Sequence, residues 1–391
     1  MTLHLPHHSF SEAAETGKRR EGFSVWSIIT SLTSGGAEVL VANLSRAFAD
    51  KGVRNTVIPL CDAEELGYSR KMEAILKERI TAGGADVHSL GLSRKRGNLE
   101  GARALRKALE QDRPDIIHCH TARVPPMVWL SGWRGPTVLT HHNSKLSFSR
   151  RLFFVFDKIV NAYVAISPET ETIYRTYGSR QVVRIPNAAG LEYSASVSRS
   201  TLRTPATIIS VGAISRQKNY PLLLETARIL KGQLLPEDMP AFIVAGGGED
   251  LAGLRSQVQN MGLSDHVSFL GERTDIAELL RSADLYLNTS LYEGQPVAML
   301  EAFSAALPVI ATNVAGNCEL VGHRENGLLA SVNSPEEIAG AIRSLLMDSV
   351  LYQSLSRGAL AKSRCFSIEG CAQNHLALYQ EITASRSISA Q

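Results

Sequence analysis

A rhythm constrains this chain more than any single residue. Short apolar, β-branched runs alternate with helical patterns, and the whole series occurs twice. In the first half the runs are 24–30, 55–60, 86–90, 115–120, 137–142 and 161–167; the second series starts near 206–214 and continues at 241–246, 267–270, 284–289 and 308–312. Runs that stay apolar mark strands covered on both faces, and strands separated by helices pair in parallel. Between the series, 188–205 is rich in Ser and Arg and nearly free of periodicity. The expected class is therefore α/β, with two doubly wound, Rossmann-like domains at 23–190 and 206–366 and a linker at 191–205. From about 335 the chain reads as helical to its end. Ligands of such domains bind at the carboxyl ends of the strands, so the pair would face each other across a cleft.

A chain of 391 residues is too long for one ordinary core. Its 41 Lys plus Arg nearly balance 38 Asp plus Glu, a net +3, and 44% of it is hydrophobic, which disfavours both a nucleic-acid binder and a disordered protein. The five cysteines, Cys61, Cys119, Cys318, Cys365 and Cys371, lack metal-ligand spacing and suit reduced thiols in a cytosol. Residues 1–22 are polar and His-rich, without the apolar core of a signal peptide, and read as a disordered leader. No run is long and apolar enough to span a bilayer; "LFFVFDKIVNAYVAIS" is broken by Asp157, Lys158 and Asn161.

The run Glu293-Gly294-Gln295-Pro296-Val297-Ala298-Met299-Leu300-Glu301 is the chemically richest stretch. Pro296 suits the first turn of a helix. Glu293 would then precede the helix, with Glu301 inside it, ~12 Å away and within ~80° of the same flank. The amides of 294–297 at the helix tip form an anion site between the two carboxylates. A sugar, a pyrophosphate and a ribose laid end to end would fill such a row, because each carboxylate accepts hydrogen bonds from paired hydroxyls. A helix with one buried and one exposed glutamate would show the same spacing.

The fuller stretch "DLYLNTSLYEGQPVAMLEAFSAALPVIATNVAGNCELV" closely resembles the signature of retaining glycosyltransferases of family 4, which have the GT-B fold. That resemblance extends over nearly all of 24–385. It implies transfer of a hexose or amino-hexose from a UDP- or GDP-sugar to a hydroxyl of a glycan or lipid-linked acceptor, with retained α configuration. It also implies that 367–391 forms a helix crossing back onto the first domain. Cell-surface polysaccharide or lipopolysaccharide synthesis would be the setting. Glu293 would hold donor-sugar hydroxyls, the 294–297 amides (Gly294, Gln295, Pro296, Val297) the diphosphate, and Glu301 the ribose. The departing phosphate itself would help deprotonate the acceptor on the same face. The two glutamates are too far apart for the pair of a retaining hydrolase, which sit ~5 Å apart.

Other residues take roles from the same resemblance. The turn Gly35-Gly36-Ala37-Glu38 follows the first strand, and paired glycines let backbone approach a phosphate. Gly36 would line the cleft opposite the donor and help bind it, while Glu38 reads as structural. Lys218 matches the family's Lys after "IISVGAIS", but Ala213 stands where the family has Arg. Either Arg216 supplies the second cation or the site runs on one. His118 and His120 are two apart on a strand end and share a face. No third ligand at diagnostic spacing supports zinc, and the family's His near the reacting carbon falls on His120. His142 and Asn143, beside His141, close "TVLTHHN" on the acceptor side. Gly246 lies in a Gly-rich turn beside the nucleotide, with Gly271 and Arg273 where the family holds the base. Asn317 and Glu319 follow the strand after the second Glu.

No Asp-x-Asp pair follows a strand in suitable surroundings, so no obligatory divalent metal or other cofactor is expected. The stretch 144–160 mixes Lys145, Arg150, Arg151 and Lys158 with four Phe, a composition that suits either packing on the sheet or an anionic membrane surface. The expected location is cytoplasmic, at the inner face of the membrane if that stretch binds lipid. A dinucleotide-binding dehydrogenase fits poorly, because no G-x-G-x-x-G opens the first helix. Two rivals share the architecture: a GT-B sugar-nucleotide epimerase, which needs no acceptor, and a non-catalytic sugar-nucleotide-binding subunit, suggested by Ala213. The sequence does not fix the oligomeric state.

Overall fold

The computed structural model describes residues 22–33, 35–66, 68–93, 97–142 and 146–389. All of the expected leader 1–22 except Gly22 lies outside them, as do Asn143 and Lys145. Two sheets, parallel throughout, organise the chain. The first contains β1 (Ser24–Ile29), β2 (Arg54–Pro59), β3 (Asp86–Val87), β4 (Ile116–Cys119), β5 (Thr137–Thr140), β6 (Ala162–Ala165) and β7 (Gln181–Arg184), in the order β3-β2-β1-β4-β5-β6-β7. The second contains β8 (Thr207–Val211), β9 (Ala241–Ala245), β10 (Val267–Gly271), β11 (Leu285–Asn288), β12 (Val309–Thr312) and β13 (Gly327–Ala330), in the order β10-β9-β8-β11-β12-β13. The expected α/β class with two doubly wound sheets is what forms. Every residue of β1, β4, β5, β6, β11 and β12 is buried, which is why those runs show no polar alternation.

Three details depart from the sequence reading. Strand 86–90 shortens to Asp86–Val87, after which His88, Leu90 and Leu92 continue with irregular backbone bonds to Val57, Pro59 and Leu60. The four-residue strands β7 and β13 escaped notice. Both are sheet edges, and "QVVR" is largely exposed, so neither has a strong apolar signal. Pro296 is the residue before the helix Val297–Ser304, not part of its first turn, with φ −69° and ψ 110°.

The last helix, Ile368–Ser389, belongs to the first sheet's core. Its Cys371, Ala372, Leu376 and Tyr379 pack with Leu40, Leu44 and Phe48 of the helix Gly36–Ala49 and with Val25, Ile116 and Val138 beneath. The stretch 191–205 is not loose. Arg199 lies across the second half and donates to the carbonyls of Ala283, Ala305 and Leu280.

Each sheet reverses its winding at one place, between β1 and β4 and between β8 and β11. At such a switch point neighbouring loops diverge to opposite faces and leave a crevice at the strands' carboxyl ends. The Gly35–Gly36 turn and His120 stand at the first crevice; Lys218 and Glu293 stand at the second.

Candidate active site

β11 ends at Asn288, whose side-chain oxygen accepts from the Ser290 amide, a local turn that Asn readily makes. The loop is then fixed from three directions. Thr312 Oγ1 donates to Ser290 O at 2.6 Å, Asn317 Nδ2 donates to Asn288 Oδ1 at 3.2 Å, and Thr289 Oγ1 donates to Lys218 O at 2.7 Å. Glu293 is thereby held rigidly, 5% exposed. Its Oε1 accepts from Lys218 Nζ at 2.6 Å and from Ser290 Oγ at 2.6 Å, while Gln217 Nε2 approaches Oε2 at 3.4 Å. The pair is charge-assisted and mostly shielded from water, the setting in which such a contact is strong.

The helix tip follows directly. Met299 and Leu300 both donate to Pro296 O, so the Val297 and Ala298 amides have no intrahelical acceptor. Pro296 itself has no N–H, so of the expected 294–297 amides only those of Gly294, Gln295 and Val297 exist to meet an anion. Across the cleft stands Gly36, where an added Cβ would lie 3.3 Å from Val297 Cβ and Cγ2. Any larger residue there would press on Val297 and require the tip to give by a few tenths of an ångström. The Gln295 side chain turns away and accepts from the Asn187 amide, while Asn187 Nδ2 donates to Gln295 O at 3.0 Å.

Glu301 is 4% exposed and accepts from the Tyr193 hydroxyl, with Arg79 of the first half close by. Arg79 also pairs with Glu192 and bonds Asn43. Burial raises the Glu301 carboxyl to about 7, against the lowering pull of Tyr193 and Arg79. Burial likewise lifts Glu38 to about 7, its carboxylate folded back over Gly35.

The remaining predicted residues fall at both crevices. Gly246 follows β9 and its amide donates to Gly271 O at 2.8 Å, so these two glycines are neighbours. Arg273 is engaged with Asp275. Arg216 is exposed and makes no ion pair among the described residues. On the first sheet, His118 is fixed at both nitrogens: Nδ1 to Tyr379 Oη at 2.6 Å and Nε2 to Thr140 Oγ1 at 2.8 Å. Its ring lies 4.0 Å from that of His120, and His120 Nδ1 meets His142 Nε2 at 3.1 Å. Burial, reinforced by the other histidines, lowers His118, His120 and His142, the last to about 3. These rings are neutral at pH 7.

Sequence reasoning passed over Asn288, Ser290 and Gln217, which fasten Glu293, and Tyr193 and Arg79, which reach Glu301. The first two stand within "LNTSLYE", where no spacing marks them.

Residues 34–193 match the profile described as Glycosyltransferase Family 4, and residues 197–361 match that described as Glycosyl transferases group 1. The chain belongs to glycosyltransferase family 4. This glycosyltransferase is 25% identical to the D-inositol 3-phosphate glycosyltransferase of Jonesia denitrificans, over 91% of the chain and 93% of that relative. It is also 25% identical to the lipopolysaccharide core biosynthesis glycosyltransferase LpsE of Rhizobium meliloti, over 88% of the chain and 95% of LpsE. Among solved structures, Anabaena Alr3699/HepE in complex with UDP-glucose superposes with a TM-score of 0.74 at 21% identity, covering 92% of this chain and 99% of that one. The likeness identifies the fold as GT-B.

Proposed function

We propose that this glycosyltransferase moves a hexose or amino-hexose from a UDP- or GDP-sugar to a hydroxyl of a glycan or lipid-linked acceptor, with retention, in polysaccharide or lipopolysaccharide synthesis. The supporting observation is the shielded Lys218–Glu293 pair at the second sheet's switch point, beside a helix tip that touches Gly36 of the first. Lys218 would turn from Glu293 toward the diphosphate, joined by the Val297 and Ala298 amides and by the exposed Arg216. Glu293, freed of its cation but still gripped by Ser290, would accept from donor-sugar hydroxyls. Glu301 would hold the ribose, with Gly246, Gly271 and Arg273 around the base. His120 would face the reacting carbon, and His142 and Asn143 would border the acceptor.

As the bond from the sugar's anomeric carbon to the diphosphate breaks, one from that carbon to the acceptor oxygen forms. The acceptor's proton passes to the departing phosphate oxygen on the same face. Fixed donors aimed at that oxygen need no reorganisation as charge develops. HepE and LpsE carry names that agree with a nucleotide-sugar donor and a cell-surface glycan product.

Glu293→Ala tests the reading: it should abolish transfer in an assay with UDP- and GDP-sugars, and wild-type turnover would refute the assignment. A membrane acceptor would be met through Leu152, Phe154 and Val155, which are exposed and sit among Arg150, Arg151 and Lys158. Apolar side chains ringed by cations suit an anionic lipid surface, and no described helix is long and apolar enough to cross a membrane. Flotation with anionic vesicles, lost on Phe154→Ser/Arg151→Glu, checks this contact.

A further inference from the structure

We infer that His142 is a positioning residue that fixes the tautomer of His120, keeping a proton on His120 Nε2 as a hydrogen-bond donor into the cleft. The inference rests on the role given to His120 above.

The geometry leaves two options. His120 Nδ1 and His142 Nε2 are 3.1 Å apart, so one proton lies between them. Both rings are neutral, as their burial dictates, so each carries a single N–H. If His120 donated, His142 would keep its own proton on Nδ1. That atom is sealed from solvent and finds no partner among the described residues. A buried N–H without an acceptor is among the rarest features of folded proteins, whereas an unused acceptor lone pair is better tolerated. The favoured arrangement therefore has His142 Nε2–H donating to His120 Nδ1. His120 must then hold its proton on Nε2, a nitrogen for which no bond to a described residue is found and which is not among the buried atoms left without a partner.

The neighbours hold this arrangement without competing for it. His118 has both nitrogens committed, to Tyr379 and Thr140, and meets His120 only ring against ring. His375 has its Nδ1 on Cys371 O at 2.9 Å. His120 is thus clamped between His118 and the nearly parallel ring of His142, whose planes differ by 16°. Its backbone amide is bound to Ile28 O at 2.8 Å. An Nε2–H so placed can donate to an oxygen of the donor sugar but cannot act as a base, consistent with proton acceptance by the departing phosphate.

Long-range ¹H–¹⁵N correlation of the histidine rings at pH 7.5 reads the tautomer directly. The wild-type protein should show His120 protonated on Nε2; protonation on Nδ1 would overturn the proposal without any variant. His142→Gln places an amide donor near the position of Nε2 and should preserve the tautomer of His120, losing less kcat than His142→Glu. His142→Glu offers only an acceptor, pulls the proton to His120 Nδ1, and should lower kcat about ten- to hundred-fold, the effect of one lost hydrogen bond to developing charge, with donor KM little changed. Equal loss in both variants, with the Nε2–H signal intact, would mean that His142 merely fills space. Failure of the wild-type protein to transfer any sugar would refute the proposed function, while the ring signals would still decide the tautomer.

Discussion

Lys218→Met tests whether the Lys218–Glu293 contact organises the second crevice. Lys218 makes the one ion pair that the described residues give Glu293, and the side chains are 19% and 6% exposed. Removing the cation leaves a buried carboxylate with neutral donors only, from Ser290, Gln217 and Asn288. Breaking a buried pair on one side costs ~3–5 kcal/mol; partial access of water to Lys218 places this one near the lower end, at about 3 kcal/mol. For a unit of 150–250 residues that lowers the melting temperature by ~6–12 °C. Adding Glu293→Gln removes the stranded charge, so the double variant should regain ~2 kcal/mol over Lys218→Met. Scanning calorimetry of wild type, both single variants and the double closes the cycle. The reasoning fails if Lys218→Met melts within about 2 °C of wild type, or if the double variant is no more stable than Lys218→Met.

Glu301 should make donor binding pH-dependent. Its carboxyl is raised to about 7 and, in the proposed role of holding two ribose hydroxyls, must be ionised, so donor KM should rise toward ten-fold per unit as pH falls below 7. In Glu301→Gln the profile should be flat. The histidines should govern acid stability. His118, His120, His142 and His375 are all lowered, so between about 4 and 6.5 the unfolded chain binds protons that the native protein refuses, and stability falls with falling pH. Glu38, Glu301 and Glu319, each raised to about 7, bind protons only in the native state between 4.5 and 7 and work in the opposite direction. The two sets nearly cancel down to about pH 4.5. Below that the histidines act without that opposition, joined by Asp275 and Glu337, whose carboxyls are held low by Arg273 and by Ser331. Melting temperatures measured from pH 7.5 to 3.5 should therefore be level and then drop sharply, whereas a steady decline from pH 7 would refute this balance.

The alternation of apolar runs was enough to read both sheets and the class of the fold, because strands buried on both faces write themselves as unbroken apolar segments. It failed at β7 and β13, edge strands too short to stand out. At the site, the motif from Glu293 to Glu301 gave the family. What it hid were partners distant along the chain: Lys218 and Gln217 lie 75 and 76 positions from Glu293, and Asn187 lies 108 from Gln295. Local spacing carries no trace of such pairs. The orientation of Gln295 toward Asn187, and of His142 toward His120, is set only when the strands assemble. Pro296 also shows that a favourable helix-start residue leaves the boundary uncertain by one position.

The docking of Ile368–Ser389 under the first sheet has a consequence for making hybrids of such proteins. The polypeptide leaves its first lobe near Gly190 and comes home only at its very end, where Tyr379 supports His118 from below. A chimera joined once, in the middle, would seat a stranger's tail beneath the histidine stack. Parental catalysis would survive only in recombinants with two crossovers, the second placed before Ile368, so that opening and closing segments share one ancestor.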